Sequence, residues 1–311
     1  MGVASYSPSQ FAAFAVAVGL TLGSMGCAWR RTSPTESSAQ AHRLVNEALA
    51  AEDAGDQKKA ENLLWQALKL NPENPETRWE MAKLMLSQDR DDAAAIHLRK
   101  LCEAHPDDAR GYVQLARMMY NQHRYGDADR MITFTLERDP QCVEAMVLRG
   151  ELDEVWGRDE RAFETYHRVL LADPENVDAR LRIAGIQIRR GKAGLAAPLL
   201  RGAQQLPAIT PDQSKEVQWL LGLAYGQAGR WSESVAALSN GLPTGASAEQ
   251  LYQLAYAEYR AGHLQLAGRR SEEALRLEPQ YQPARQLLSH LEHAGNAEAR
   301  LLPASYTTPR Q

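Results

Sequence analysis

The sequence predicts an all-α solenoid, and two observations carry this prediction. Prolines stand at positions 72, 106, 140 and 174, each 34 residues after the one before. Small residues keep the same period, because alanine stands at positions 60, 94, 128, 162 and 196. A period of this length over several units is typical of stacked helical pairs. Aromatic residues make up only 7% of the chain, which also favours helix over sheet.

The composition narrows the classes of function. The 311 residues carry 35 Lys and Arg against 39 Asp and Glu, so the basic excess of a nucleic-acid-binding protein is absent. Three cysteines are too few for a disulfide framework. The sequence motifs of phosphate-binding loops, serine nucleophiles and zinc hydrolases do not occur. We therefore expect no enzyme activity, no cofactor, no metal, no nucleic acid and no small-molecule substrate.

The N-terminal residues have the pattern of an export signal. Residues 1–29 contain no charged side chain, and an apolar run at residues 11–22 is short for a bilayer span. Small residues precede Cys27, which resembles the lipobox of bacterial lipoproteins, although Ser24 stands where that family prefers leucine. The resemblance implies a signal segment over residues 1–27 and a lipid on Cys27. It also implies a membrane-anchored body that faces the periplasm of a bacterial cell envelope.

Two other interpretations of this segment remain open. A signal-anchor that extends to Trp29 would keep the body in the cytoplasm, because Arg30 and Arg31 follow it and the positive-inside rule applies. A plain cleaved signal would release the protein, since the residues before Cys27 also satisfy the small-x-small rule. Residues 28–40 are polar and are predicted to be a flexible linker.

Seven repeats account for residues 41–281, and each is predicted to be a helix–turn–helix. They start at residues 41, 75, 109, 143, 177, 215 and 248, with four extra residues in the fifth and one residue fewer in the sixth. Glycine at repeat position 15, as in Gly55, ends the first helix in the left-handed conformation. The proline ends the second helix, because the residue before it is pushed out of the helical region. Asn74, Asp108 and Asn176 are then candidate N-caps.

This pattern resembles the tetratricopeptide repeat (TPR) family, whose units carry W-x2-L-G-x2-Y, then A-x3-F, then P. Leu221-Gly222-x2-Tyr225 is the clearest local match. The chain departs from the pattern at Arg78, where the family prefers tryptophan, and at Ser234, where it prefers alanine.

The resemblance implies a right-handed superhelix of helical pairs. An amphipathic stretch at residues 282–295 is predicted to be a C-terminal capping helix, which solvates the last repeat. Residues 296–311 are predicted to be a disordered tail, since they are rich in small residues and end in a polar run.

In TPR proteins the first helices line a concave groove through repeat positions 2, 5, 9 and 12, so the resemblance implies a binding groove here. These positions are basic and aromatic in the early repeats, acidic in the middle, and aromatic and apolar in the late repeats. Clustered aromatic side chains favour a peptide-binding strip, and the alternative is that they pack between repeats. The candidate partner-binding residues are Trp79, Lys83, Arg117, Tyr120, Glu151, Glu154, Trp219, Tyr252, Tyr256 and Tyr259.

Three finer expectations concern this groove. Trp79, Arg117 and Tyr120 are expected to lie near one another. The acidic middle, to which Asp178 also contributes, is expected to favour a basic stretch of the partner. The carboxylate clamp of TPR co-chaperones is not matched, because Trp79 and Val113 stand where that clamp has lysine.

The expected function is a non-enzymatic scaffold, exported and tethered to a membrane, that binds a peptide or helix of a partner protein in its groove. The alternative is an assembly factor of envelope machinery, similar to the TPR lipoproteins of pilus assembly or outer-membrane assembly. An enzyme would need a site formed by the tail or by the insertion at residues 207–214, and nothing in either segment favours one.

Overall fold

A computed structural model describes the backbone of residues 34–301 and the side chains of residues 36–293. The predicted signal segment, Cys27 and the last ten residues lie outside the described residues. Over the described range the chain forms fifteen α-helices and no strand, which confirms the all-α prediction. In that range no helix has the length and apolar character that a membrane crossing requires.

Over the described residues the chain divides into two compact units, one that ends at Thr77 and one that begins at Arg78. In the first unit, α1 (Pro34–Asp53) packs against α2 (Gln57–Leu70). Small buried side chains such as Ala48 and Ala60 let two helices approach closely. The helix α1 starts inside the predicted linker, which is consistent with a proline at its first position and an acidic residue in its first turn.

The second unit contains the remaining helices. From α5 on, each odd-numbered helix packs against the even-numbered helix that follows it, and the odd-numbered pairs α5/α7, α9/α11 and α13/α15 are also in contact. The bounds are α3 Pro75–Ser87 (in this unit from residue 78), α4 Asp91–Ala104, α5 Ala109–Asn121, α6 Tyr125–Arg138, α7 Val143–Val155, α8 Asp159–Ala172, α9 Val177–Arg189, α10 Ala193–Gln204, α11 Pro211–Gln227, α12 Trp231–Gly241, α13 Ala248–Arg260, α14 Leu264–Leu277 and α15 Gln282–Leu301.

The turn between the two helices of each repeat follows the prediction. The glycines at repeat position 15 all have a positive φ, from +68° at Gly157 to +86° at Gly262. Where glycine is missing, Asp89 and His123 adopt the same conformation at φ +56° and +59°. A side chain makes this conformation costly, so these two turns are strained relative to the others. The predicted caps are also confirmed, and Asn176 Oδ1 accepts from the Ala179 backbone N–H at 3.0 Å.

Small residues at repeat positions 8 and 20 let the paired helices approach closely. In the fourth repeat, Gly150 takes the place of alanine and the fully buried Tyr166 takes the place of leucine. A methyl group on Gly150 would lie 2.5 Å from Tyr166 Cε1, so the glycine makes room for the ring. In the sixth repeat, Ser234 replaces alanine, and its hydroxyl donates to the Gly222 carbonyl at 2.8 Å.

Two segments differ from the sequence-based expectation. The insertion of the fifth repeat lengthens α11 at its start, because Thr210 and Gln213 form a reciprocal capping box in front of the predicted repeat boundary. The last helix, α15, runs to Leu301 and so extends beyond the predicted end at residue 295.

Candidate functional site

The candidate site lies on the helices that come first in each repeat of the second unit. We call the surface formed by α5, α7, α9, α11 and α13 the first-helix face. All ten candidate partner-binding residues lie on first helices, eight of them on these five helices and two, Trp79 and Lys83, on α3. The structure divides them into three regions with different chemistry.

The early region is an open cavity of about 790 Å³ next to Trp79 and between α5 and α7. The Arg110 guanidinium lies 5.4 Å from the centre of the Trp79 ring, and its Nη2 pairs with Asp108 Oδ2 at 2.8 Å. Burial would raise the pKa of the Asp108 carboxyl, but hydrogen bonds from Arg110 outweigh it and lower that pKa. Lys83 is exposed and pairs with Glu80 at 2.8 Å.

The expected cluster of Trp79, Arg117 and Tyr120 is not formed as one group. Trp79 contacts Arg110 instead. Arg117 lies two turns after Arg110 on α5, which separates the two residues by about 10 Å along the helix axis. Arg117 does lie 5.9 Å from the Tyr120 ring centre. The Tyr120 ring packs edge-on against Tyr125 of α6, with centroids 5.5 Å apart, so it belongs largely to the core of its own repeat.

The middle region is an ion-pair network rather than a free acidic strip. Glu151 is buried, with an exposed fraction of 7%, and its carboxylate pairs with Arg117 of α5 and, at 3.3 Å, with Arg182 of α9. Glu154 pairs with Arg189 at 2.7 Å. Glu151 and Glu154 are therefore paired with arginines within the molecule, and the attraction of a basic partner segment to them stays a prediction.

A tyrosine from the second helix joins this network. Tyr166 of α8 reaches past Gly150, and its hydroxyl donates to Glu154 Oε1 at 2.8 Å. Desolvation and the neighbouring Glu154 carboxylate raise the pKa of the Tyr166 hydroxyl. Desolvation opposes the charge of Arg189, but hydrogen bonds to Glu154 and Asp159 outweigh it and raise the Arg189 pKa.

Acidic character persists beyond the network, on α9 and α11. Asp178 accepts a 2.8 Å hydrogen bond from Gln213 Nε2, which belongs to the lengthened start of α11. The pKa of the Glu216 carboxyl is raised overall, mainly by desolvation. Arg182 opposes this rise, and the neighbouring Asp178 carboxylate adds to it. Trp219 lies next to Glu216 on the border of an open cavity of about 460 Å³, and its ring also packs on the core around Leu238.

The late region is an apolar pocket, which we call the aromatic pocket. It has a volume of about 230 Å³ and lies between α11, α12 and α13. Rings from Trp231, Tyr252 and Tyr256 border it, with 5.9 Å between the Trp231 and Tyr256 centroids and 6.2 Å between the two tyrosines. Tyr256 is the most open, with 37% of its surface exposed.

The predicted tyrosine stripe of α13 is therefore present, but its members differ in surroundings. Tyr252 is half-buried and packs edge-on against Tyr281 at 5.8 Å, and desolvation raises the pKa of its hydroxyl. Tyr259 forms a 2.9 Å hydrogen bond with His290 of α15. Of the three tyrosines, Tyr256 is the exposed one, and the other two are partly buried. Both interpretations from the sequence, partner binding and packing between repeats, therefore apply within this one stripe.

Sequence reasoning missed Trp231, Arg182, Arg189 and Arg260. Trp231 lies on a second helix, and positions on first helices could not reveal it. The pairing of Arg117 with Glu151 was also missed, although it left a signal: the two residues occupy the same repeat position in adjacent repeats and carry opposite charges. A comparison of charges at equal repeat positions would have predicted that pair.

Other reactive groups are few among the described residues. Cys102 and Cys142 are buried and free, and burial raises the pKa of the Cys102 thiol to about 12. Neither thiol is therefore a ready nucleophile at neutral pH. Over the same residues, no group of three or more His, Cys, Asp or Glu side chains is placed to hold a metal ion.

Comparisons with known proteins agree with this architecture. Two family models of the tetratricopeptide repeat match residues 51–115 and residues 157–214. "Cellulose synthase operon protein C" of Pseudomonas fluorescens (strain SBW25) is 26% identical over 220 residues, which is 68% of this chain. The chain spans only 17% of the length of that relative.

Solved structures show the same fold at low identity. The Cut9–Hcn1 hetero-tetramer of the APC/C has a TM-score of 0.66 at 15% identity, over 78% of this chain and 48% of that one. A TPR protein of Parabacteroides merdae has a TM-score of 0.55 at 16% identity, and PilF of Pseudomonas aeruginosa 0.51 at 13%. Each of these two matches covers 82% of this chain and 99% of the other. The chain thus has the all-α fold of tetratricopeptide-repeat solenoids, and models of that repeat family match two stretches of it.

Proposed function

We propose that the chain is a scaffold that holds a segment of a partner protein on its first-helix face, with the aromatic pocket as the main anchor. The observation that carries the proposal is an open apolar pocket bordered by Trp231 and Tyr256 on a protein of an interaction-scaffold fold. Aromatic side chains at the centre of an interface contribute much of its binding energy. The partner segment is a peptide or a helix.

Site-specific photo-crosslinking tests this proposal in cells. A photoreactive amino acid in place of Tyr256 should give a discrete crosslinked product, identified by mass spectrometry. The matched control is Leu266 of α14, which is also exposed, at 46%, but lies on a second helix. Equal crosslinking at both positions, or none at Tyr256, would remove the aromatic pocket as the anchor.

Alanine variants separate binding from folding. Tyr256→Ala should lose the partner with a smaller change in melting temperature than Tyr252→Ala, because 37% of the Tyr256 surface is exposed. Tyr252→Ala should lower the melting temperature, since its ring packs against Tyr281 and the surrounding core. If Tyr256→Ala destabilises the fold as strongly as Tyr252→Ala does, Tyr256 acts as a core residue.

We further propose that the protein is exported and tethered to a membrane through a lipid on Cys27. The support is the apolar run and the small residue that precede this cysteine in the sequence. Growth with an alkyne fatty acid should label the wild-type chain but not Cys27→Ser. Label on neither chain would leave the signal-anchor with a cytoplasmic body, or a plain cleaved signal, as the alternatives.

A narrower candidate is a scaffold for machinery of the cell envelope. The observation that favours it is the similarity to a protein named for a cellulose synthase operon. Deletion of the gene in its own host should then reduce cellulose output, and the wild-type chain but not Tyr256→Ala should restore it. Full output in the deletion strain would count against this candidate and leave the general scaffold proposal intact.

A further inference from the structure

The aromatic pocket has the size and chemistry for one apolar side chain. Its volume is about 230 Å³, and cavities of about 150 Å³ already admit a benzene ring. Gly222, Leu238 and Ala257 border it together with the rings of Trp231 and Tyr256, and no charged side chain lines it. The Ser234 hydroxyl, which also borders the pocket, is already bonded to the Gly222 carbonyl.

A single cation lies over the rings of this pocket. The Arg260 guanidinium is 4.4 Å from the centre of the Trp231 ring and 5.8 Å from that of Tyr256. Its Nη1 donates to the Tyr256 hydroxyl at 3.0 Å. Stacking on aromatic rings orients the guanidinium but leaves its net charge in place, and the donors at its edge remain able to bind a planar anion.

Several other arginines of the first-helix face have a carboxylate partner, and within the described residues Arg260 has none. Arg117, Arg182 and Arg189 each pair with a glutamate of α7. Arg230, near the same pocket, pairs with Glu233. Among the described residues, no carboxylate lies within the 4.0 Å ion-pair distance of Arg260. Over the part of the chain that the structure describes, the pocket is thus apolar inside, and the positive charge of Arg260 on its rim has no carboxylate within ion-pair distance.

We propose that the occupant of the aromatic pocket is a partner segment with an aromatic or large aliphatic side chain flanked by carboxylates, and that Arg260 pairs with one of these carboxylates. The inference rests on the proposed scaffold function and adds the chemistry of the partner. The apolar side chain fills the pocket, and the carboxylate supplies the charge that the rim lacks. A basic segment is disfavoured, because its cations would approach Arg260.

Fluorescence-labelled probe peptides test this charge preference. The peptides share one central phenylalanine and differ in the residues on both sides of it, which are glutamate, glutamine or lysine. Binding to the full chain is measured by anisotropy at low and high salt. We expect the glutamate peptide to bind about threefold more tightly than the glutamine peptide, the effect of one exposed ion pair, and the lysine peptide to bind most weakly.

Variants assign the preference to one side chain. Arg260→Gln should bind the glutamate and glutamine peptides equally, and Arg260→Lys should keep part of the difference. Arg230→Gln is the matched control, since it removes the same charge from an arginine that already has a carboxylate partner, and it should keep the full preference. Melting temperatures of all variants check that the fold is intact.

The possible outcomes separate this inference from the proposed function. If the glutamate and glutamine peptides bind equally to the wild type and both depend on Tyr256, the partner chemistry is wrong and the scaffold proposal stands. If no peptide binds more tightly to the wild type than to Tyr256→Ala, both fail. If sedimentation shows a dimer that Tyr256→Ala dissociates, a second copy of the chain occupies the pocket and the inference is overturned.

Discussion

Replacement of Gly150 by alanine tests how the fourth repeat accommodates its tyrosine. The added methyl group would lie 2.5 Å from Tyr166 Cε1 and 2.6 Å from Cζ, inside a layer where Tyr166 has no exposed surface. Overpacking of this kind costs about 1–3 kcal/mol. Alanine in place of glycine inside a helix stabilises the helix by about 1 kcal/mol. The expected net loss for Gly150→Ala is therefore roughly 0–2 kcal/mol.

The second substitution, Tyr166→Leu, completes a double-mutant cycle. Alone it should cost about 1–3 kcal/mol, because it removes the hydrogen bond to Glu154 and leaves space above Gly150. The double variant restores the alanine–leucine pair of the second repeat, Ala82 with Leu98. Its loss should be smaller than the sum of the two single losses by about 1 kcal/mol or more.

The assay must follow individual repeats, because a solenoid does not unfold as one two-state unit. Hydrogen exchange of α7 and α8, together with urea unfolding, reports the local loss. Gly268→Ala on α14 is the matched control, because no atom lies within 4 Å of the added methyl group and the change should stabilise the helix. Additive single losses, or equal gains from Gly150→Ala and Gly268→Ala, would refute the argument.

Three further outcomes are expected. Asp89→Gly should raise the free energy of unfolding by about 0.5–1 kcal/mol, because glycine adopts the φ of +56° without strain. Gly157→Ala should lower the free energy of unfolding, because it places a side chain at a φ of +68°. Urea midpoints measure both changes. Glu258 is buried, its Oε2 has no hydrogen-bond partner among the described residues, and desolvation raises its pKa above 4.5. The contribution of this carboxyl to stability is therefore present below pH 4.5, and it is lost as the pH rises through the folded-state pKa, because the buried group must then ionise. Glu258→Gln should raise the free energy of unfolding by about 1 kcal/mol at pH 7 and leave it unchanged at low pH. Paired urea titrations at the two pH values measure this difference. Glu151→Gln should cost about 1–2 kcal/mol in thermal melts at low salt, because two partly exposed arginines lose their shared carboxylate, and less at high salt.

The repeat architecture was predictable because backbone chemistry fixes it locally. Glycine at repeat position 15 and proline near the end of the repeat, each present in five of the seven units, mark the turns, and the structure places positive φ angles at each glycine of this set. The start of α1 at Pro34 and the end of α15 at Leu301 were not predictable in the same way. Outside the repeats no period restricts the alternatives, and a polar segment is compatible with either a helix or a linker.

The candidate site was predictable in position but not in partners. Repeat position placed Tyr252 and Tyr256 on one face correctly. Whether a charged side chain is free depends on which residue of the next repeat reaches it, and Glu151 is neutralised by residues on both sides. Trp231 comes from a second helix, so a prediction restricted to first helices could not include it.

The bridge from Arg117 through Glu151 to Arg182 has a mechanical consequence. Repeats in a solenoid contact only their neighbours, so a solenoid can bend at every interface between repeats. The two ion pairs connect α5 to α7 and α7 to α9, and they therefore act as a brace that resists separation of these three helices. We therefore expect bending to concentrate on the C-terminal side of α9, where the aromatic pocket lies, and the brace to soften as salt screens its charges.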